Sequence, residues 1–466
     1  MTDDASRPLP GRIRARMFER GWQIRPPERA QDKHTCYDDD FELSLASHED
    51  VGIAYDEMRQ QIYLYRPNQL VVAPDRVDDV LAAVGIDVSA CELDSLFADH
   101  DGKVGNDGDG NDGRDGRSSG AVRIRFPVRI RVPELVQHFR SSERFGATDV
   151  GPNHVLLGMQ RIKGWPAGPP EPVEGEGLAA HLALLAERAD QAKQASGARR
   201  PVTIAVIDTG LARTHLGMPA VDAKDPDDLD LLDLDPVDKV NDLEAGHGTF
   251  VAGIIRSLVP SARIVIVKAI EPSGIADCFA ISRALVLLAR WRDENGRGVD
   301  IVNLSLGGWT ADNLPPLGME EAIRYLSRRL PEALVVAAAG NASTSRPPWP
   351  AAFKDVVAVA AVGAGASGWE PAPFTDRGWW VDACAPGVDI VSDFPDGTRG
   401  FVGPNLEDFV APYACWSGTS FSAPHVVGRL AQLMQAEGVD AKTAAFRLLK
   451  APGLVDFAPG MGVLVS

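Results

Sequence analysis

The sequence lacks any apolar run of the ~18 residues that a bilayer-crossing helix needs, so no transmembrane helix and no membrane partner are expected. It also lacks a basic excess, since 65 acidic residues against 47 basic ones give a net charge of −18. So acidic a chain is a poor match for nucleic acid or for an anionic membrane surface. Cysteine is scarce, at positions 36, 91, 278, 384 and 415, and no C-x-x-C spacing occurs. Neither a zinc site nor a disulfide framework is indicated, and free thiols of a reducing compartment are expected. No apolar h-region stands in residues 1–22, which are rich in Arg, Asp and Pro, so no secretory signal is read and a cytoplasmic location is expected. There is no internal repeat.

The 466 residues are enough for several domains. Residues 1–40 are charged, proline-rich and aperiodic, and read as a mobile arm. Residues 41–160 read as a small α+β domain. Ile62–Tyr65 and Gln69–Ala73 are expected as two strands, and Asp75–Val84 carries Val77, Val80, Leu81 and Val84 at helical spacing. Val122–Val132 alternates, with Val122, Ile124, Phe126, Val128, Ile130 and Val132 on one side and Arg123, Arg125, Arg129 and Arg131 on the other. That period predicts half-buried strand, with Pro127 at an edge or bulge. Pro133–Ser141 reads as a helix and Asn153–Leu157 as a strand. Residues 99–120 are almost all Gly, Asp, Asn and Ser, too polar to offset their ordering entropy, and are expected as a flexible insertion. Asp107, Asp109 and Asn111 imitate calcium ligands, but an EF-hand loop wants Gly and Glu where Asp112 and Ser118 stand. Residues 161–200 read as a Pro/Gly-rich linker followed by a helix over Leu178–Gln194.

From 201 to 466 the pattern changes. Apolar runs at Val202–Ile207, Arg263–Ile270, Val299–Leu306, Ala333–Ala339 and Val356–Val362 alternate with helical stretches at Gly248–Leu258, Asp277–Trp291 and Met319–Leu330. Continuous apolar strands between helices predict an α/β domain, a doubly wound, mostly parallel sheet covered on both faces. Such sheets carry their functional residues at strand C-termini and helix N-termini. Three places fit. Asp208 ends an apolar strand before Thr209-Gly210. His247 opens a helix in Gly246-His247-Gly248-Thr249. Ser420 lies in Gly418-Thr419-Ser420-Phe421-Ser422-Ala423-Pro424-His425, between a glycine turn and a helix whose dipole favours negative charge, with Pro424 expected in its first turn.

Together, and in the order Asp, His, Ser, these segments resemble the subtilisin-like serine peptidases. The resemblance covers residues 201–466 and implies a serine endopeptidase acting on peptides or proteins. By its logic Ser420 is the nucleophile, His247 the general base and acid, and Asp208 the residue that orients the imidazole. Asn341, after the small-residue strand Val335–Gly340, matches the family's side-chain donor to the oxyanion, beside the backbone N–H of Ser420. Ser305, Leu306 and Gly307 match the segment that pairs with substrate backbone. Ala338, Ala339 and Gly340 match a wall of the pocket before the cut, where small side chains leave room for a large apolar one. Ala385–Gly387 and Gly460–Gly462 match structural landmarks. No cofactor is required. Several members bind calcium, but no ligand set maps onto this chain.

The resemblance also implies that residues 41–160 form a prodomain that covers the active site until cut or displaced, with the processing point within 158–200. One departure is the segment Val221–Glu244, with ten acidic residues and two lysines. It could favour basic substrates, bind calcium, dock the arginine face of 122–132, or simply be solvated. Neutralising Asp227, Asp228 and Asp230 is expected to weaken cleavage of Lys/Arg-rich peptides at low salt, and unchanged rates across a salt series would remove the first of these readings. Three rival readings fare worse. A sedolisin would want Glu and Asp where His247 and Asn341 stand. A pseudoenzyme would usually lack a triad member. A nucleotide-binding domain would need a Gly-rich phosphate loop, which is missing.

Overall fold

A computed structural model of the chain describes residues 50–56, 61–98, 120–158, 169–194, 201–212, 240–242, 244–402 and 405–466. The N-terminal arm, Cys36, the candidate calcium ligands Asp107, Asp109 and Asn111, and most of the acidic segment lie outside them.

Five strands and two helices build the N-terminal part: β1 (Gly52–Asp56), β2 (Gln61–Val72), α1 (Val77–Val84), β3 (Glu92–Ser95), β4 (Val122–Arg125), α2 (Val132–Arg140) and β5 (Val150–Leu157). The two strands expected over 62–73 are one. The register against β5 breaks between Tyr65 and Leu70, so the Pro67 turn is absorbed as an irregularity instead of ending the strand. The alternation of 122–132 is strand only through Arg125. Pro127 cannot donate to a ladder, Phe126 and Ile130 donate instead to the carbonyls of Asn68 and Pro67, and α2 starts at Val132 with Pro133 in its first turn. Among the six apolar residues of that stretch, Val128 stays 48% exposed, and the other five are buried. The arginine face is paired locally: Arg123 with Asp94, Arg125 with Glu92 and Arg131 with Glu134.

After β6 (Glu171–Pro172) and α3 (Gly175–Gln194), the larger unit begins. Its strands are β7 (Thr203–Asp208), β8 (Arg263–Lys268), β9 (Ile275–Asp277), β10 (Ile301–Leu304), β11 (Leu334–Ala338), β12 (Val356–Gly365), β13 (Gly368–Pro371), β14 (Val381–Pro386), β15 (Ile390–Asp393), β16 (Thr398–Val402), β17 (Asn405–Phe409), β18 (Tyr413–Trp416) and β19 (Val463–Leu464). Its principal helices are α4 (His247–Leu258), α5 (Cys278–Arg290), α6 (Met319–Arg329) and α7 (Thr419–Glu437). The main sheet runs β19-β14-β12-β11-β10-β7-β8, all parallel, with β13 antiparallel at β12. One apolar cluster packs α5 and α6 on one face, and a second packs α4 and α7 on the other. This is the doubly wound α/β arrangement that the alternation of apolar runs predicts.

The two units share a sheet, because β5 also pairs antiparallel with β9. Leu96, Phe97, Ala121 and Leu156 of the N-terminal unit belong to the same apolar cluster as α5 and α6. Two buried polar side chains on β5 complete the contact: Asn153 Oδ1 accepts the N–H of Phe279 at 3.2 Å, and His154 Nε2 accepts that of Ala311 at 3.0 Å. Within the proline- and glycine-rich stretch before α3, β6 pairs with β18. Cys91, Cys278, Cys384 and Cys415 are free thiols. Among the described residues no helix is long and apolar enough to cross a membrane.

Candidate active site

Asp208 and His247 meet because the end of β7 and the start of α4 are laced together. Thr209 Oγ1 accepts the N–H of Gly248 at 3.0 Å, and Thr249 Oγ1 accepts that of Ala212 at 2.8 Å. A side chain on Gly248 would strike the carbonyl of Gly210, so only glycine permits this approach. Within that brace His247 Nδ1 lies 2.7 Å from Asp208 Oδ1, and both side chains are fully buried. A carboxylate only accepts, so Nδ1 carries the proton and Nε2 keeps its lone pair. The imidazole packs against the rings of Trp416 and Phe421, each centred 5.4 Å away, which fixes its plane and brings α7 alongside.

Ser420 is the second residue of α7, and its hydroxyl lies 3.1 Å from the carbonyl of Gly158 and 3.2 Å from that of Ser305. Pro424 is the sixth residue of the helix, beyond the first turn where the sequence placed it. The N–H it lacks would have served the Ser420 carbonyl. Ser305 Oγ donates to that carbonyl instead, at 2.7 Å, and is itself held by Asn303 Nδ2 at 2.9 Å. Ser305 therefore ties the tip of β10 to Ser420.

Asn341 follows β11, with 2% of its surface exposed. Its Oδ1 accepts both the N–H and the hydroxyl of Thr419, each at 2.8 Å. Two donors on Oδ1 orient the amide so that Nδ2 is the end left to face a ligand. Leu306, Gly307, Ala338, Gly340 and Asn341 line one cavity with Ser420. Ala339 does not. It is buried in the core and its N–H goes to Val359. Gly307 exchanges both backbone hydrogen bonds with Leu157, at 2.9 and 3.0 Å, and Gly158 donates to Gly274 at 3.0 Å. The end of β5 thus lies in the cleft as an added strand.

Sequence reasoning missed Thr419, the Ser305 brace and Asp376. Thr419 stands within the motif and could have been read from it. Asp376 could not, because its segment carries no local signature. Its Oδ1 accepts the N–H groups of Ala342 and Thr344, both at 2.9 Å, and its own N–H donates to Gly340, so it clasps the chain on both sides of Asn341. Gly340 has φ +110, and a Cβ there would collide with Asp376 Oδ2.

Burial raises the Asp376 carboxyl well above the ordinary range, against the two amide hydrogen bonds that lower it. A carboxyl that holds its proton more tightly when folded loses stability as pH rises above its unfolded value. Asp376→Asn keeps the Oδ1 acceptor and removes the titration. Its melting temperature is expected to exceed the parent's by about 2–4 °C at neutral and alkaline pH, and the gap should close in acid. Melting curves across pH check this, and a gap independent of pH would contradict it.

Among the described residues no group of three or more His, Cys, Asp or Glu side chains is placed to hold a metal.

The sequence profile of the Subtilase family matches residues 199–447. A thermophilic serine proteinase of Bacillus sp. (strain AK1) is 36% identical over 247 residues, which is 50% of this chain and 52% of that protein. Thermitase of Thermoactinomyces vulgaris is 30% identical over 265 residues, 55% of this chain and 81% of thermitase. The match therefore spans about half the length of the Bacillus proteinase. Fervidolysin of Fervidobacterium pennivorans, a keratinolytic enzyme related to subtilisin, shares the fold with a TM-score of 0.57 at 21% identity, over 86% of this chain and 60% of that one. With Asp208, His247 and Ser420 all inside the matched region, the chain belongs to the subtilase family.

Proposed function

We propose that the protein is a serine endopeptidase acting through an acyl-enzyme, and that its N-terminal domain holds it inactive until that domain is cut or displaced. One observation carries both halves: β5 ends in the cleft as a peptide substrate would, with the carbonyl oxygen of Gly158 3.1 Å from the Ser420 hydroxyl.

Attack needs the Ser420 hydroxyl to turn about its Cα–Cβ bond from the two carbonyls towards His247 Nε2. His247 takes the proton as Oγ bonds to the scissile carbon, then gives it to the leaving amine. Asp208 keeps the proton on Nδ1 and stabilises the imidazolium. Asn341 Nδ2 and the Ser420 N–H receive the oxyanion. Water then enters and gives a proton to His247 as its oxygen bonds to the acyl carbon, and the Oγ–acyl bond breaks as His247 returns that proton to Ser420 Oγ. Side chains and one backbone N–H carry every step, so the proposed mechanism calls for no cofactor. Ser305, Leu306 and Gly307 present the edge that pairs with substrate, and Ala338 and Gly340 line the pocket, with Ala339 behind them.

Restraint follows from what a substrate must displace. The plug is held by ladders to β2 and β9 and by the buried Asn153 and His154 contacts. A fluorophosphonate probe tests both halves. The intact chain should label slowly, and labelling should rise as a product beginning C-terminal to Gly158 accumulates. Ser420→Ala should neither label nor shorten. Immediate full labelling of an uncut chain would remove the restraint, and a cut chain that never labels would remove the peptidase.

A further inference from the structure

One buried carboxylate that this mechanism does not use faces the cleft. Glu244 closes the acidic segment and precedes His247 by three residues, and only 6% of its surface is exposed. Its Oε2 lies 3.9 Å from His247 Nε2. The same oxygen would lie 3.1 Å from a Cβ built on Gly158, with the carboxyl carbon at 3.5 Å and Cγ at 3.8 Å. Cγ occupies the space a side chain on Gly274 would need. Backbone bonds fix the residue, since its N–H donates to Pro272 at 2.9 Å and its carbonyl accepts the N–H of His247 at 3.0 Å. Glu244 and Gly274 thus bound the place where Gly158 sits, with the imidazole also beside that Glu244 carboxylate oxygen.

We propose that Glu244 is a specificity-determining residue, whose carboxylate selects glycine or a basic side chain, against neutral and acidic ones, at the substrate position that Gly158 occupies in the resting chain. For substrates added in trans, this rests on the endopeptidase reading. A glycine leaves the carboxylate's surroundings as they are. A methyl at 3.1 Å crowds the oxygen and strips solvent from it without offering a hydrogen bond. A lysine or arginine meets the same crowding, but its flexible stem ends in a donor that pairs with the carboxylate, and in so enclosed a site that pairing is weakly screened. An acidic side chain sets like charges together in low dielectric. The wider acidic segment was open to several readings from sequence. Glu244 is a member of it that the fold aims at a substrate backbone.

The chain's own plug allows a test without turnover. In a Ser420→Ala background, Gly158→Lys, Gly158→Ala and Gly158→Glu are compared by hydrogen exchange at the amides of residues 157 and 158, which donate to Gly307 and Gly274. Exchange there should be faster for the Glu variant than for the Lys variant by about tenfold or more, a difference of ~1.4 kcal/mol. The Ala variant should fall between. Adding Glu244→Gln should bring the Lys and Glu variants together. Peptides varied at the same position are the second measurement, on the processed enzyme, with Lys preferred to Glu in kcat/KM and the preference falling with salt. Equal exchange for the Lys and Glu variants, or a gap that survives Glu244→Gln, overturns the assignment. If the Gly158 variants do not fold, the peptide series decides alone, and equal cleavage of the Lys and Glu peptides overturns it. An exchange gap with no peptide cleaved upholds the role of Glu244 and removes the peptidase.

Discussion

Replacing Ser420 or His247 by alanine is expected to lower kcat by about 10⁶-fold, and replacing Asp208 by about 10⁴-fold, the magnitudes seen in a related subtilisin. The asymmetry has a local cause. In the proposed mechanism Ser420 supplies the atom that bonds to substrate and His247 the lone pair that takes its proton, whereas Asp208, 2.7 Å from Nδ1, acts only on the imidazole. The brace between Thr209 and Gly248 still holds α4 near its place when Asp208 is gone. The three must also fail as a unit: Ser420→Ala with His247→Ala should cost no more than Ser420→Ala alone. Steady-state turnover of one peptide by the four variants measures this. Losses that multiply, or a Ser420→Ala protein that keeps a tenth of its rate, would end the triad assignment.

Asn341→Ala should lower kcat by about 10²–10³-fold and leave KM nearly unchanged if, as proposed, its donor meets charge that exists only in the transition state. Thr419 makes the expectation specific to this chain. Its N–H and hydroxyl both hold Asn341 Oδ1. Thr419→Val keeps the N–H and removes the hydroxyl, so its loss should be smaller, about tenfold in kcat, and again without a rise in KM. Initial rates over a range of peptide concentration separate the two constants. A rise in KM that matched the fall in kcat/KM would place Asn341 in ground-state binding instead.

Strands β7, β8, β10, β11 and β12 of the main sheet were legible because each is a mostly apolar run, and that composition marks strand and burial together. Strand β14, interrupted by Asp382, and the two-residue β19 carry no such run and were not read. The candidate triad was legible for a related reason. Asp208, His247 and Ser420 each sit at the junction of an apolar element and a glycine, a local feature. What could not be read depends on partners far along the chain. Gly158 meets Ser420 across 262 positions, and nothing near residue 158 announces it. The sequence placed Pro424 in the first turn because a proline inside a helix is normally disruptive. Only Ser305, 115 positions before the carbonyl it satisfies, makes the deeper placement tolerable. Strands β1 and β3 escaped for want of alternation, since Glu92–Ser95 is mostly polar and borrows its order from β4.

The attachment of β6 to β18 and of α3 to α4, where Arg188 donates to Ser257 at 2.9 Å, anchors the chain on the catalytic unit downstream of the plug. If the N-terminal domain restrains the enzyme as proposed, then before any cut it is presented from the same chain at a fixed local concentration, about millimolar for a short connection. Adding solvent cannot weaken that. Once the bond C-terminal to Gly158 is broken, the same contacts become an association between two separate molecules, governed by mass action. Latency would pass from insensitive to dilution to dependent on it, so the spacing between enzyme molecules would itself regulate the activity.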